Sequence, residues 1–206
     1  MSDHAALLII DVQNDFCPGG ALPVNEGDAV VPVINRMQYA FRKVVATQDW
    51  HPKTHASFAS NHNGKKPFDV IDLDGISQTL WPDHCVQGTG GAAFHPGLAT
   101  DRVDLIVRKG TNPQIDSYSA FMENNKKTAT GLAGYLKSLG ITSVHLCGLA
   151  TDFCVFYSAM DSASLGFETF VILDACRGID IPEGSIDRAL AAMKGKGIRI
   201  ISSSEL

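Results

Sequence analysis

The stretch Ser143-Val-His-Leu-Cys-Gly-Leu-Ala-Thr-Asp-Phe-Cys154 predicts a buried strand, a tight turn and the first turn of a helix. Its apolar run ends at Gly148, and small or polar residues follow. We expect Thr151 or Asp152 to cap the helix, because a side-chain oxygen there accepts a free backbone N–H. Cys154 then lies at the positive end of the helix dipole, where the pKa of a thiol is lowered. This position suits a nucleophile, although most free cysteines are small buried hydrophobic side chains.

Apolar runs that read as strands alternate with helix-like segments along the rest of the chain. Strands are predicted at 6–11, 43–49, 104–109, 144–147, 169–174 and 198–201, and helices at about 28–41, 128–139, 154–165 and 182–196. The alternation predicts an α/β fold with three layers, α/β/α, around a central, mostly parallel six-stranded sheet. Ligands bind such sheets at the carboxyl ends of the strands. Asp11, Asp49, Lys109 and the turn after Gly148 all fall at such ends.

Residues 50–100 do not follow this alternation. They hold five histidines and several Gly and Pro residues with little periodicity. Long irregular segments in compact domains are usually functional. We therefore expect an irregular metal-binding insertion at about 50–100. Since 206 residues can enclose a full core, we expect the whole chain, residues 1–206, to form one domain.

The charge and composition exclude several classes of function. The formal net charge is −5 and no basic run is present, which disfavours nucleic-acid and anionic-membrane partners. No apolar stretch is long enough for a membrane span, and the first residues lack a secretion signal. The five cysteines contain no Cys-x-x-Cys pair, as expected of free thiols in a reducing compartment. We expect a cytoplasmic protein, either a monomer or a homo-oligomer.

Two charged residues at strand ends are candidates for catalysis beside Cys154. Asp11 follows four apolar residues, so partial desolvation should raise its pKa and suit it to accept a proton. Aspartate is equally at home in turns that have no chemical role. Lys109 at the mouth of a cleft can hold a thiolate and a carboxylate together by charge, although most lysines at strand ends are exposed.

A metal site is compatible with the histidine-rich segment. Asp49 and His51 are two residues apart, so an extended backbone turns both side chains the same way. Together with His55 and His84 they could bind zinc, iron or manganese. No HExxH or CxxC pattern supports this interpretation, and solvated loop histidines explain the spacing equally well.

Aromatic side chains and a backbone turn suggest how a flat ligand would bind. Phe16, Trp81 and Phe153 can form walls on which a flat ring stacks, or they can belong to the core. The N–H groups of Ala150 and Cys154 can form an oxyanion hole if the turn folds as predicted.

Six motifs carry a resemblance to a known family. The motifs Ile10-Asp-Val-Gln-Asn-Asp-Phe16, Arg108-Lys-Gly110 and Gly148-Leu-Ala-Thr-Asp-Phe-Cys-Val155 resemble the isochorismatase-like cysteine hydrolases. The motifs Thr47-Gln-Asp-Trp-His-Pro52, Trp81-Pro-Asp-His-Cys-Val-Gln-Gly88 and Asp116-Ser-Tyr-Ser-Ala-Phe121 are similar to those of the nicotinamidases within that family. The resemblance runs from about residue 6 to residue 178.

The resemblance implies a complete site. The implied residues are a catalytic triad (Asp11, Lys109, Cys154), an oxyanion hole (Ala150, Cys154), metal ligands (Asp49, His51, His84) and substrate contacts (Phe16, Trp81, Tyr118, Leu149, Ala150, Phe153). It also implies a cis peptide bond before Thr151. One divalent metal ion, Zn²⁺ or alternatively Fe²⁺ or Mn²⁺, would bind the ring nitrogen of the substrate. The position of the second histidine varies in the family, so the resemblance does not assign His55.

The implied activity is hydrolysis of nicotinamide, and also of pyrazinamide, through a cysteine thioester, in NAD salvage. Three other interpretations stay open at this point. The enzyme could cleave another amide or carbamoyl group, the chain could be a thiol redox protein, or it could be a non-catalytic zinc-binding module. The redox interpretation needs a resolving cysteine near Cys154, and Cys147 on the preceding strand is poorly placed for that role.

Overall fold

A computed structural model describes residues 3–206, and its centre is a six-stranded sheet in which every pair of neighbouring strands is parallel. The strands of this sheet are β1 (Ala5–Ile10), β2 (Lys43–Asp49), β5 (Leu105–Lys109), β6 (Ser143–Leu149), β7 (Glu168–Arg177) and β8 (Arg199–Ile201). Their spatial order is β5-β2-β1-β6-β7-β8. The helices are α1 (Val30–Met37), α2 (Leu132–Ser138), α3 (Phe156–Ser164) and α4 (Ser185–Gly195). The predicted fold class is confirmed.

Strand β1 divides the core into two halves. All six of its residues are buried, because parallel sheets of this kind are covered on both faces. Leu7 and Ile9 pack with α1 on one face, and Leu8 and Ile10 pack with the other three helices on the opposite face. Successive side chains of a strand point to opposite faces, so a continuous apolar run serves both layers.

Several predicted boundaries shift for local reasons. Helix α2 begins at Leu132 rather than at residue 128, because Thr128 and Thr130 instead hydrogen-bond with the backbone at 121–123. Helix α4 begins at Ser185 rather than at residue 182, after Gly184 with its left-handed φ of 78°. Helix α1 begins at Val30 rather than at residue 28, and no side chain caps it, so Asp28 is not its cap.

The segment 50–100 contains a β-hairpin that is not predicted from the sequence. Its strands β3 (Val70–Leu73) and β4 (Ile76–Thr79) are antiparallel and pair outside the main sheet. Asp74 and Gly75 form the two-residue turn with φ values of 53° and 82°. An Asp-Gly pair favours this kind of turn and was the available signal. The hairpin leads directly into Trp81.

In the part of the chain from residue 3 to residue 206, we find no helix that is long and apolar enough to span a bilayer.

His145 should make the free energy of unfolding depend on pH. The ring lies in β6, stacks on Phe170 with 4.3 Å between ring centroids, and contacts the edge of Phe41. Burial lowers the pKa of His145 from 6.5 to about 4. Between these two pH values the unfolded chain binds a proton at His145 and the folded chain does not. The free energy of unfolding therefore decreases as pH falls from about 6.5 towards about 4.

We predict that His145→Phe reduces the stability lost between pH 7 and pH 5 by about 2 kcal/mol. Urea unfolding of both proteins at the two pH values measures this difference. An equal loss in the variant and the wild type would show that His145 does not carry the effect.

Candidate active site

The carboxyl ends of three neighbouring strands bring the side chains of Asp11, Asp49 and Lys109 into contact. Asp11 follows β1, while Asp49 and Lys109 end β2 and β5 and are partners in the strand register. The Lys109 ammonium lies 2.8 Å from Asp11 Oδ2, and it donates hydrogen bonds to Asp49 Oδ1 and to the Ser117 carbonyl oxygen at 3.0 Å. Lys109 is only 2% exposed, contrary to the usual behaviour of a strand-end lysine.

The three charges set one another's pKa values. Burial alone would lower the pKa of Lys109, but the charges of Asp11 and Asp49 raise it well above its ordinary value. Burial also opposes ionisation of Asp49, yet Lys109 and His51 hold its pKa below the usual range. For Asp11, burial outweighs the opposing charge of Lys109 and raises the pKa to about 6. Asp11 thus has the raised pKa expected from the sequence.

Cys154 lies beside this group of charges. It belongs to a π-helical turn, Thr151–Val155, that leads into α3. Its Sγ is 3.4 Å from Lys109 Nζ and within 4.8 Å of carboxylate oxygens of both Asp11 and Asp49. Cys154 is 7% exposed, so the thiol is nearly removed from solvent.

The predicted lowering of the pKa of Cys154 is wrong. Burial raises the pKa of this thiol well above its ordinary value, and the charges of Asp11 and Asp49 raise it further, although Lys109 opposes them. The electrostatic effect of a helix terminus is modest by comparison with burial next to two carboxylates. The resting group is a thiol, and it needs a base to become a nucleophile.

Two expectations about the turn before Cys154 are also corrected. The cis peptide bond joins Leu149 to Ala150, one residue earlier than the bond before Thr151. Neither Thr151 nor Asp152 caps the turn. The Asp152 carboxylate instead accepts hydrogen bonds from residues 179–185.

Asp49, His51 and His84 form a group that fits a metal ion. The Nδ1 atoms of the two imidazoles bond to the carbonyl oxygens of Gly110 and Pro82 at 2.9 and 2.8 Å. Their Nε2 atoms lie 3.6 and 3.9 Å from Asp49 Oδ2, and the group is buried. Carbonyl partners on Nδ1 are the usual outer contacts of metal-binding histidines, because they leave the Nε2 lone pair free.

His55 lies next to this group without joining it. Its ring centroid is 4.3 Å from that of His51, and its Nδ1 contacts Ser57 Oγ at 2.7 Å. Its buried Nε2 has no hydrogen-bond partner among the described residues. His55 can form a second group of metal-binding atoms with His51 and Asp116, but not one that includes Asp49.

One cavity reaches both Cys154 and the metal-binding group. Its walls are Phe16, Leu22, Asp49, Trp81, His84, Asp116, Tyr118, Ala150, Phe153, Cys154 and Ile179. Trp81 meets Phe153 edge to face, with 4.9 Å between ring centroids, and donates a hydrogen bond to the Tyr118 hydroxyl at 3.1 Å. Gln78, from the hairpin, donates to the same hydroxyl and to Asp116.

The predicted substrate contacts differ from these walls in a few places. Phe16, Trp81, Tyr118, Ala150 and Phe153 all line the cavity. Leu149 does not, because its side chain is fully buried in the core beside Gly27. Leu22 and Ile179 also line the cavity but are not predicted from the sequence, since aliphatic residues in loops carry no chemical signal.

Comparison with known proteins identifies the family. The model of the isochorismatase domain matches residues 5–205. The chain belongs to the isochorismatase family. Among its members, the nicotinamidase of Acinetobacter baylyi is 50% identical to this chain, over 100% of this chain and 95% of that protein.

Two solved structures bear on the cavity and the metal group. A protein from L. infantum, solved in complex with nicotinate, is 41% identical with a TM-score of 0.87, over 99% of this chain and 95% of its own. The pyrazinamidase of Pyrococcus horikoshii, solved in complex with zinc, is 38% identical with a TM-score of 0.79, over 97% of this chain and 99% of its own. In this chain, ligand atoms of Asp49, His51 and His84 lie within 4.8 Å of one another, close enough to hold one metal ion.

We predict that His51→Ala weakens zinc binding at least ~100-fold, since loss of an outer contact alone costs 10–100-fold. Calorimetric titration of metal-free protein with zinc measures the change. The matched control is His95→Ala, whose imidazole accepts from the Gly97 backbone N–H outside this group and should leave the affinity unchanged. Equal affinities of wild type and His51→Ala would remove His51 from the ligand set.

Proposed function

We propose that this chain hydrolyses nicotinamide to nicotinate and ammonia, with pyrazinamide as a second substrate. The observation that carries the proposal is the single cavity lined by Cys154 and by Asp49 and His84. Nicotinamide has a ring nitrogen at one end and a carboxamide at the other. The cavity offers the Cys154 thiol to the carboxamide and the metal-binding group to the ring nitrogen. The nicotinamidase relative and the nicotinate complex support the same substrate.

The first half of the reaction transfers the acyl group to sulfur. Asp11 takes the thiol proton, because one of its carboxylate oxygens lies within 4.8 Å of Sγ and burial raises its pKa to about 6. The Cys154 thiolate attacks the amide carbon, while Lys109 offsets the negative charges. The N–H groups of Ala150 and Cys154 hold the oxyanion, each worth roughly 10²–10³ in rate. The C–N bond then breaks as Asp11 returns the proton to departing ammonia.

The second half regenerates the enzyme. Asp11 accepts a proton from water as the water oxygen attacks the thioester carbon. The C–S bond breaks, the sulfur recovers its proton from Asp11, and the released nicotinic acid loses its remaining proton to solvent or ammonia to give nicotinate. One residue serves both halves because its pKa, raised by burial to about 6, suits both giving and taking a proton near neutral pH.

The residues that would hold the metal are Asp49, His51 and His84. A divalent ion bound there, for which we propose zinc, would accept the ring nitrogen as a ligand and so fix the orientation of the ring. The chain's own aromatic side chains do the rest of the orienting: Phe16, Trp81 and Phe153 form the walls on which the ring stacks. We further propose that the chain forms one domain and acts in the cytoplasm. Its small-molecule substrate would place it in NAD salvage.

The competing interpretations fit the site less well. An aliphatic amide has no ring nitrogen, so it would have no atom to bind a metal ion held by Asp49, His51 and His84. A thiol redox role needs a resolving cysteine, and Cys147 is buried in β6, where its thiol donates a hydrogen bond to the Leu8 carbonyl oxygen. A structural zinc site usually has four protein ligands, whereas Asp49, His51 and His84 supply three and lie at a cavity.

We predict that Cys154→Ala abolishes ammonia release from nicotinamide while nicotinate still binds with nearly wild-type affinity. An ammonia-release assay, run with and without a chelator, and a calorimetric titration measure the two quantities. Cys17→Ala changes another buried free cysteine, which lies outside the cavity, and should keep full activity. Near-normal turnover in Cys154→Ala would exclude covalent catalysis.

We predict that Asp11→Asn lowers kcat about 10²–10⁴-fold, the usual contribution of a general base. The amide keeps the shape of the side chain but cannot take the thiol proton. Lys109 keeps its second carboxylate, Asp49, so the buried ammonium is still paired. Steady-state rates with nicotinamide test this, and a kcat within a factor of about three of wild type would assign the base to another group.

A further inference from the structure

The carboxylate of Asp152 has a structural role that the reaction does not explain. Asp152 lies two residues before Cys154, is 7% exposed and does not line the cavity. Its Oδ1 accepts from the Ile179 backbone N–H at 2.9 Å. Its Oδ2 accepts from the Asp180 N–H at 3.0 Å and from the Ser185 hydroxyl at 2.5 Å. Ile179 and Asp180 belong to the connection between β7 and α4, and Ser185 is the first residue of α4.

The residues that connect β7 to α4 pack closely around the Asp152 carboxylate. Asp180 has a left-handed φ of 55° and its own carboxylate accepts from the Ile186 N–H at 3.2 Å. Arg188 donates to the carbonyl oxygens of Glu183 and Pro182. Any side chain at Gly178 would collide with Ile186 and approach Asp152. The loop is therefore anchored at Asp152 on one side and on α4 on the other.

Ile179 is the one residue of this loop that lines the cavity. Together with Leu22 and Ala150 it supplies the aliphatic part of walls that are otherwise aromatic or polar. Its side chain is partly buried and packs against the core, and its backbone N–H donates a hydrogen bond to Asp152.

We propose that Asp152 is a positioning residue that holds Ile179 against the cavity, and that Ile179 determines which substituents on the substrate ring are accepted. The inference rests on the proposed function, because it names the specificity of that same site. A carboxylate is required because all three partners donate hydrogen bonds to it. An amide at position 152 would set an N–H₂ group against at least one backbone N–H, which cannot turn away.

The test compares nicotinamide with its monomethyl derivatives, substituted in turn at each free ring carbon. Ile179→Ala should raise kcat/KM for at least one isomer about tenfold relative to nicotinamide, the usual effect of one methyl-sized space. Asp152→Asn should raise the same ratio for the same isomer. The double variant should show no further gain, because the second change acts through the first.

A merely structural role for Asp152 gives a different result. Loss of folded enzyme would lower the rates for all substrates equally and leave every ratio unchanged. Unchanged ratios in Asp152→Asn, or a gain for a different isomer from the one that Ile179→Ala admits, would overturn the inference. If Asp152→Asn does not fold, Ser185→Ala removes only one of the three hydrogen bonds and should shift the ratio in the same direction, and unchanged ratios there would equally overturn it.

Asp174→Asn is the matched control. Its carboxylate accepts from the backbone N–H and the hydroxyl of Ser203 at 2.8 and 2.5 Å, so it also anchors a loop, but one outside the cavity. Its ratios should equal those of the wild type. If wild-type protein releases no ammonia from nicotinamide, the proposed function fails. The inference is then judged by calorimetric affinities of the same amides for Cys154→Ala with and without Ile179→Ala and Asp152→Asn, where unchanged ratios overturn it.

Discussion

The site depends on one buried ammonium group shared by two carboxylates. Lys109 is removed from solvent, and such a charge is stable only when opposite charges lie within contact distance. Asp11 and Asp49 provide them. Removing one partner of a buried pair usually costs about 3–5 kcal/mol, so the three side chains hold one another in place. The same contact joins the proposed base, Asp11, to the metal-binding group through Asp49.

The order of the strands explains why these residues meet. The strands β5, β2, β1 and β6 are consecutive in the sheet. Their carboxyl ends supply Lys109, Asp49, Asp11 and the turn that carries Cys154. All four strands are parallel, so these ends lie on one edge of the sheet, and residues almost 150 positions apart in the chain come within a few ångströms. Segment 50–100 then covers this edge with His51, Trp81 and His84.

Much of this was predictable from the sequence, and the failures have physical causes. Apolar runs predict most of the six strands, because a strand buried on both faces needs apolar side chains on both, and the prediction for β2 matches its observed bounds. The pKa of Cys154 was mispredicted because desolvation by distant parts of the chain outweighs the local helix terminus. Ile179 and Leu22 were missed because only the fold, and no residue chemistry, brings an aliphatic loop residue to a cavity. The roles of the triad residues stay predictions.

Mass spectrometry of enzyme quenched during turnover of nicotinamide tests whether Cys154 forms a covalent intermediate. Covalent catalysis at Cys154 requires a nicotinoyl thioester on the peptide that contains this residue, formed at a rate at least equal to steady-state turnover and absent from the peptides that contain the other four cysteines. Continued turnover with no acyl group on Cys154, or an acyl group on another cysteine, would contradict it.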